Sequence, residues 1–183
     1  AVLGHSFGGK VALAYAARTD LRPLQVWVID STPEARPPDG AAWNMLGILA
    51  SLPPDFASRQ EAIDGLVPRG VPPAVAAWMG TNLAYVEGRY RWRLDLGAMR
   101  DLLADFFRLD LWDVVEAPAG GLELIFVKAE DSATLSEAAC DRIAAAARAT
   151  GQVRLVRVPG GHWLNTDNPE AVLDLLTRHL PRG

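Results

Sequence analysis

Continuous apolar runs of strand length alternate along this chain with amphipathic stretches of helix length. The strand-like runs lie at 1–3, 24–29, 122–127 and 153–158, the last with alternating arginines. The helix-forming stretches lie at 10–18, 99–111, 135–149 and 169–180. Apolar runs of this kind are typical of strands buried on both faces of a parallel sheet. The alternation predicts an α/β fold with a mostly parallel sheet, helices on both of its faces and a turn at 20–23.

The pattern changes between residues 38 and 93, where short amphipathic pieces separated by prolines replace the strands. We predict helices at 43–52, from Ser58 onward through a capping box with Glu61, and at 72–83. Such a segment is typical of a helical lid inserted between two core strands, and an ordinary helical subdomain would have the same pattern. The predicted organisation is a first part of the core at 1–37, a lid at 38–93 and a second part of the core at 94–183.

The segment Gly4-His5-Ser6-Phe7-Gly8-Gly9 lies between the first strand and the first helix. A G-x-S-x-G sequence in that context is a nucleophile elbow, a strained turn that exposes a serine hydroxyl above the sheet. Glycine is needed there because side chains at Gly4 or Gly8 would collide with the neighbouring strand and helix. We therefore predict that Ser6 is a nucleophile and that the backbone N–H of Phe7 is one donor of an oxyanion hole.

A serine nucleophile requires a base within hydrogen-bond reach. The chain has three histidines, and His162 is the best candidate because it follows the last strand in a glycine-flanked loop. His5 precedes the serine and points the opposite way along the strand, which predicts a core or wall residue. His179 lies near the end of the last helix, where a solvated side chain would interact with the helix dipole.

Composition excludes several other classes of function. The 183 residues carry a formal net charge of −4 without a long basic run, so no nucleic-acid partner is predicted. Charges and prolines interrupt the apolar runs well short of the ~18 residues that a membrane span requires. The single cysteine, Cys140, cannot form an internal disulfide, which suits the cytoplasm or an organelle matrix. The chain opens inside a strand without an initiator methionine, so we expect a fragment whose upstream targeting segment, if any, is not visible.

The elbow, the lid and the loop Gly160-Gly161-His162-Trp163, followed by Asn168-Pro169-Glu170, resemble the α/β-hydrolase superfamily. The resemblance runs from Gly4 to the last helix and is greatest to the small-esterase branch typified by the bacterial YbfF-type esterase. It implies the C-terminal part of an α/β-hydrolase fold. The implied activity is hydrolysis of small acyl esters or thioesters through a Ser-His-Asp triad and an acyl-enzyme, with no cofactor and no metal.

Two aspartates are candidates for the acid of the triad. In most of the superfamily the acid lies in the loop after the strand at 122–127, where this chain has Ala129-Glu130-Asp131-Ser132 with serine in the expected slot. In the YbfF-type branch the acid follows the earlier strand, and Ile29-Asp30 matches that position. Both loops open on the side where His162 emerges, so position alone favours neither. The resemblance favours Asp30, with Asp131 in reserve.

Aromatic residues supply the predicted substrate-binding positions. Trp43, Trp78, Met79 and Trp92 of the lid could form an apolar acyl-binding wall, although core packing is an equal alternative. We predict contact with substrate at His5, Trp43, Trp78 and Trp163. A different class of function, an inactive fragment or a protein-interaction module that lacks the first strands and the oxyanion loop, is the alternative to an enzyme.

Overall fold

The computed structural model describes residues 1–18 and 23–181 of the chain, so most of the turn predicted at 20–23 lies outside the described residues. The strands are β1 (Val2–His5), β2 (Gln25–Ile29), β3 (Asp55–Phe56), β4 (Leu83–Val86), β5 (Arg89–Trp92), β6 (Glu123–Ala129) and β7 (Val153–Val158). The helices are α1 (Phe7–Ala16), α2 (Gly40–Ala50), α3 (Arg59–Leu66), α4 (Pro73–Gly80), α5 (Leu96–Arg108), α6 (Trp112–Glu116), α7 (Glu137–Thr150), α8 (Leu164–Asp167) and α9 (Pro169–His179). A short 3-10 helix, Val67–Arg69, follows α3.

The chain divides into two compact units. The first comprises Ala1–Ala35 together with Leu109–Gly183, and the second comprises Arg36–Arg108. The second unit therefore contains the whole segment predicted as a lid at 38–93 and extends beyond it through α5. Its two ends meet, because the backbone N–H of Arg36 donates to the carbonyl of Phe107 at 2.9 Å.

The first unit is built on a four-stranded parallel sheet in the order β1-β2-β6-β7. Neighbouring residues of β2 and β6 point to opposite faces because side chains alternate along a strand. Val28 and Phe126 pack against α1, α6 and α7 on one face. Trp27 and Ile125 pack against α8 and α9 on the other. Burial of both faces accounts for the continuous apolar runs, and β7 lies at the sheet edge, as its alternating arginines predict.

The carboxyl ends of the four strands lie at the same edge of the sheet. Hydrogen bonds continue the strand pairing past the ends of β1 and β2, from Ser6 N–H to the Ile29 carbonyl at 2.9 Å and from Asp30 N–H to the Val127 carbonyl at 2.7 Å. The residues that follow the strands are therefore brought together here, as is usual for functional residues of open α/β sheets.

The second unit differs from its prediction, which contained helices but no strands. It has an antiparallel sheet in the order β3-β5-β4, with a tight turn at Glu87 and Gly88, both at positive φ. These strands have two to four residues, too few to establish an alternating pattern in the sequence. Half of the predicted capping box is present, because the Ser58 hydroxyl accepts a hydrogen bond from Glu61 N–H at 3.0 Å. The Glu61 carboxylate accepts from the N–H of Ala57, one residue before the N-cap. In the described part of the chain, no helix combines the length and apolar character that a bilayer crossing needs.

Candidate active site

Ser6 occupies a strained turn between β1 and α1. Its backbone has φ 56° and ψ −121°, a conformation that non-glycine residues rarely adopt. A Cβ atom at Gly4 would lie 1.9 Å from the Gly8 carbonyl oxygen, so only glycine fits there. The prediction for Gly8 was wrong, because a Cβ there would meet no atom within 4 Å apart from its chain neighbours and the backbone of its own helix. The crowded second glycine is Gly9, whose Cβ would lie 2.6 Å from that of Ser31.

The structure brings Ser6, His162 and Asp30 into one series of hydrogen bonds. His162 Nε2 lies 2.9 Å from Ser6 Oγ, and His162 Nδ1 lies 2.7 Å from Asp30 Oδ2. An ionised carboxylate only accepts hydrogen bonds, so Nδ1 carries the ring proton and Nε2 presents its lone pair to the serine hydroxyl. This is the arrangement in which an imidazole can remove the hydroxyl proton.

Asp30 is fully buried at the end of β2, with a positive φ of 42°. Burial is the largest single influence on the pKa of its carboxyl group and raises it. Hydrogen bonds from His162, Ser132 and the Ala129 N–H, together with the charge of His162, outweigh burial and hold that pKa below its usual value. Asp30 is therefore a carboxylate at neutral pH, although no solvent reaches it.

The other candidate acid, Asp131, lies elsewhere. Asp131 is exposed, and its backbone N–H donates to the Gly160 carbonyl at 3.0 Å. Its loop nevertheless contributes two hydroxyl groups that sequence reasoning missed. The Ser132 side chain is one of the groups that lower the pKa of Asp30, and Thr134 Oγ1 lies 3.2 Å from His162 Nδ1. Of these two, only Ser132 had a sequence signal, its position where most of the resembled superfamily has the acid.

The remaining histidines have different surroundings. His5 is half-buried, and its Nε2 lies 2.6 Å from the carbonyl oxygen of His162 and donates to it. Its ring lies 4.8 Å from that of His162 and 5.3 Å from that of Trp163. Trp163 is exposed beside His162. His179 is half-buried near Trp27 and its carbonyl accepts from Gln25, so it is less solvated than predicted.

The aromatic residues predicted in the lid belong to two groups. Trp92 packs edge-on against Phe56 in the core of the second unit, where Met79 is also buried, so core packing explains both. Trp43 packs against Phe107 and lines a cavity of about 250 Å³ within that unit. Trp78 is exposed on α4. Of the residues predicted to form an acyl-binding wall, Trp78 is thus exposed and Trp43 lies half-buried beside a cavity.

Phe7 is the first residue of α1, so its N–H belongs to the helix turn that follows the serine. N–H groups of a first helical turn point away from the helix and favour negative charge, which is the property an oxyanion donor needs. Among the described residues, no group of three or more histidine, cysteine or acidic side chains could hold a metal ion. Cys140 is buried, and burial raises the pKa of its thiol.

Comparison with known proteins identifies relatives over almost the whole chain. The model of a family described as the alpha/beta hydrolase family matches residues 1–175. The sn-1-specific diacylglycerol lipase ABHD11 of Mus musculus is 25% identical over 188 aligned residues. That alignment covers 98% of this chain and 58% of the lipase, so the chain spans little more than half the length of this relative.

Two solved structures have a similar fold. A marine microorganism esterase superposes with a TM-score of 0.76 and 22% identity, covering 97% of this chain and 69% of the esterase. An E-2-(acetamidomethylene)succinate hydrolase superposes with a TM-score of 0.64 and 22% identity, covering 97% of this chain and 65% of that enzyme. At these identities the likeness establishes the fold.

Proposed function

Since this chain has the α/β-hydrolase fold and belongs to the α/β-hydrolase family, we propose that it is a serine hydrolase acting through Ser6, His162 and Asp30. One observation carries the proposal. The serine hydroxyl, the imidazole and a buried carboxylate form a continuous series, with distances of 2.9 Å and 2.7 Å at the two hydrogen bonds.

In the proposed reaction, Ser6 Oγ attacks the carbonyl carbon of an acyl substrate while its proton passes to His162 Nε2. Asp30 stabilises the imidazolium through the Nδ1–H hydrogen bond and holds the ring in place. The oxyanion of the tetrahedral intermediate accepts a hydrogen bond from Phe7 N–H. His162 then returns the proton to the leaving oxygen or sulfur, and an acyl-enzyme on Ser6 remains. Water activated by His162 hydrolyses this intermediate.

The proposed substrates are small carboxylic esters or thioesters. An esterase and a diacylglycerol lipase among the relatives support a carboxylic ester as the bond that is cleaved. Trp163 supports an apolar acyl group, because its exposed ring lies 5.4 Å from that of His162. His5 lies beside both rings and completes this wall. The role of the segment at 38–93 as a lid, and substrate contact at Trp43 and Trp78, remain predictions from the sequence.

Labelling with a fluorophosphonate tests the proposal, because this reagent reacts with an activated serine and requires no knowledge of the natural substrate. We expect the protein to be labelled and Ser6→Ala to lose labelling completely. Ser51→Ala is the matched control, since Ser51 is an exposed serine of the second unit. Labelling that persists in Ser6→Ala would overturn the assignment of the nucleophile. A folded protein that is not labelled would favour the alternative of a protein-interaction module.

A further inference from the structure

The loop after β6 brings the hydroxyl group of Thr134 to the acid–base pair. We propose that Thr134 is a positioning residue for His162, because its Oγ1 and the Asp30 carboxylate both accept a hydrogen bond from His162 Nδ1–H. This inference rests on the proposed function, because a positioned imidazole matters only if it accepts the proton of Ser6.

The direction of the Thr134 hydrogen bond follows from the charge of Asp30. Because Asp30 is a carboxylate that only accepts, the proton lies on His162 Nδ1 and points toward Asp30 Oδ2 at 2.7 Å. Thr134 Oγ1 lies 3.2 Å from the same nitrogen. With the proton on Nδ1, the threonine oxygen is a second acceptor, so the Nδ1–H bond is shared between the two oxygens. Two acceptors on different loops restrict rotation of the ring more than one does.

Ser132 fixes the loop locally. Its side-chain oxygen accepts a hydrogen bond from the backbone N–H of Thr134 at 3.1 Å. This hydrogen bond orders the backbone at Thr134, whose side chain contacts His162.

A buried lysine holds the backbone of this loop in place. Lys128 is 2% exposed, and its ammonium group donates to the carbonyl of Ala129 at 2.7 Å and to that of Ser132. The N–H of Ala129 donates in turn to Asp30 Oδ1 at 3.2 Å. Hydrogen bonds from one charged donor to two carbonyls restrict the conformation of the loop that contains them. The backbone that carries Thr134 is therefore held in place beside His162.

The usual structural use of a threonine before a helix does not account for Thr134. The N-cap of α7 is Ser136, whose hydroxyl accepts from Ala139 N–H at 3.1 Å. Thr134 lies two residues before that cap, and its Oγ1 contacts the imidazole instead. Helix capping thus leaves the Thr134 hydroxyl available to His162.

Steady-state hydrolysis of 4-nitrophenyl acyl esters tests the proposal. Thr134→Val removes the hydroxyl at nearly constant shape, and we expect kcat to fall about fivefold, the effect of losing one shared hydrogen bond. KM should not change, because Thr134 orients the base and does not contact substrate. Thr134→Ser retains the hydroxyl and should restore kcat. Thr150→Val is the matched control, because Thr150 lies at the end of α7 and its hydroxyl donates to Ala146.

Three results would overturn the proposal. The first is a kcat of Thr134→Val equal to that of the wild type. The second is an equal loss of kcat in Thr134→Val and Thr134→Ser, which would show that the shape of the side chain matters and the hydroxyl does not. If Thr134→Val does not fold, Thr134→Ala is compared with Thr134→Ser to isolate the same hydroxyl, and equal kcat values of these two variants are the third. Fluorophosphonate labelling distinguishes a failure of the role of Thr134 from a failure of the proposed function. A labelled wild type with unaffected variants overturns only the role of Thr134, whereas an unlabelled, folded wild type overturns the proposed function as well.

Discussion

His162 Nδ1 and Asp30 Oδ2 lie 2.7 Å apart, although 132 positions of sequence separate the two residues. The parallel sheet explains the contact, because Asp30 directly follows β2 and His162 follows β7 at the same edge. The buried carboxylate can only be stabilised by donors that the surrounding loops supply. His162 is one of these donors, so its orientation and the charge of Asp30 depend on each other.

Replacement of the two candidate acids distinguishes their roles. Asp30→Asn should reduce kcat for ester hydrolysis on the order of 10³–10⁴-fold, because an amide in place of the carboxylate no longer enforces the Nδ1–H tautomer. Asp131→Asn should stay within about twofold of wild type, since the Asp131 side chain is exposed on the surface. The measurement is kcat at neutral pH with each variant shown to be folded by circular dichroism. A larger loss in Asp131→Asn would reverse the assignment.

The lowered pKa of Asp30 predicts a pH dependence of stability. The usual value for this group is 3.8, and its pKa in the folded protein lies lower. The carboxylate therefore stabilises the fold above pH 3.8, and this contribution is lost as the pH falls through the folded pKa. Urea unfolding of wild type and Asp30→Asn at a series of pH values measures the effect. The stability of the wild type relative to Asp30→Asn should be greater at neutral pH than at low pH; a difference that is the same at every pH would contradict the prediction.

Much of the first unit could be predicted because its signals are local. The elbow is contiguous in sequence, and the strand-like runs report burial of both faces of the sheet. His162 was selected by its glycine-flanked loop and the small number of alternatives. The choice of Asp30 over Asp131 came from the resemblance to YbfF-type esterases, and membership of that branch stays a prediction. Thr134 carries no such signal, since its contact with His162 depends on how two distant loops meet.

Other features depend on contacts that the sequence pattern does not encode. The crowding at Gly9 comes from Ser31, which follows the neighbouring strand β2. The small sheet of the second unit consists of strands whose alternation is too brief to distinguish from helix ends and linkers. The helix predicted at 99–111 corresponds to α5 at Leu96–Arg108, which has Phe106 and Phe107 buried and belongs to the second compact unit.

The elbow glycines should respond differently to alanine. Gly4→Ala places a Cβ 1.9 Å from the Gly8 carbonyl oxygen, so the backbone must shift. We expect a loss of about 3 kcal/mol or more in the free energy of unfolding. Gly8→Ala has open space around its Cβ and should stabilise the protein by about 0.5–1 kcal/mol through helix propensity. Urea unfolding measures both values, and equal destabilisation by the two variants would contradict this account of the turn.

Trp163 offers a test of acyl recognition that is separate from the chemistry. Its ring is 59% exposed and lies 5.4 Å from the ring of His162, so an acyl chain bound beside the base would cover it. Trp163→Ala should raise KM for octanoyl esters about tenfold, through lost apolar contact, and change KM for acetyl esters little. Trp163→Phe separates contact from geometry, because it keeps an aromatic ring beside His162 and should recover most of the affinity. The control is Tyr85→Ala, which removes an aromatic ring with 65% exposure from β4 and should leave both KM values unchanged. Unchanged KM values with an equal fall in kcat for the two esters would show that Trp163 supports the position of His162 and does not bind the acyl chain.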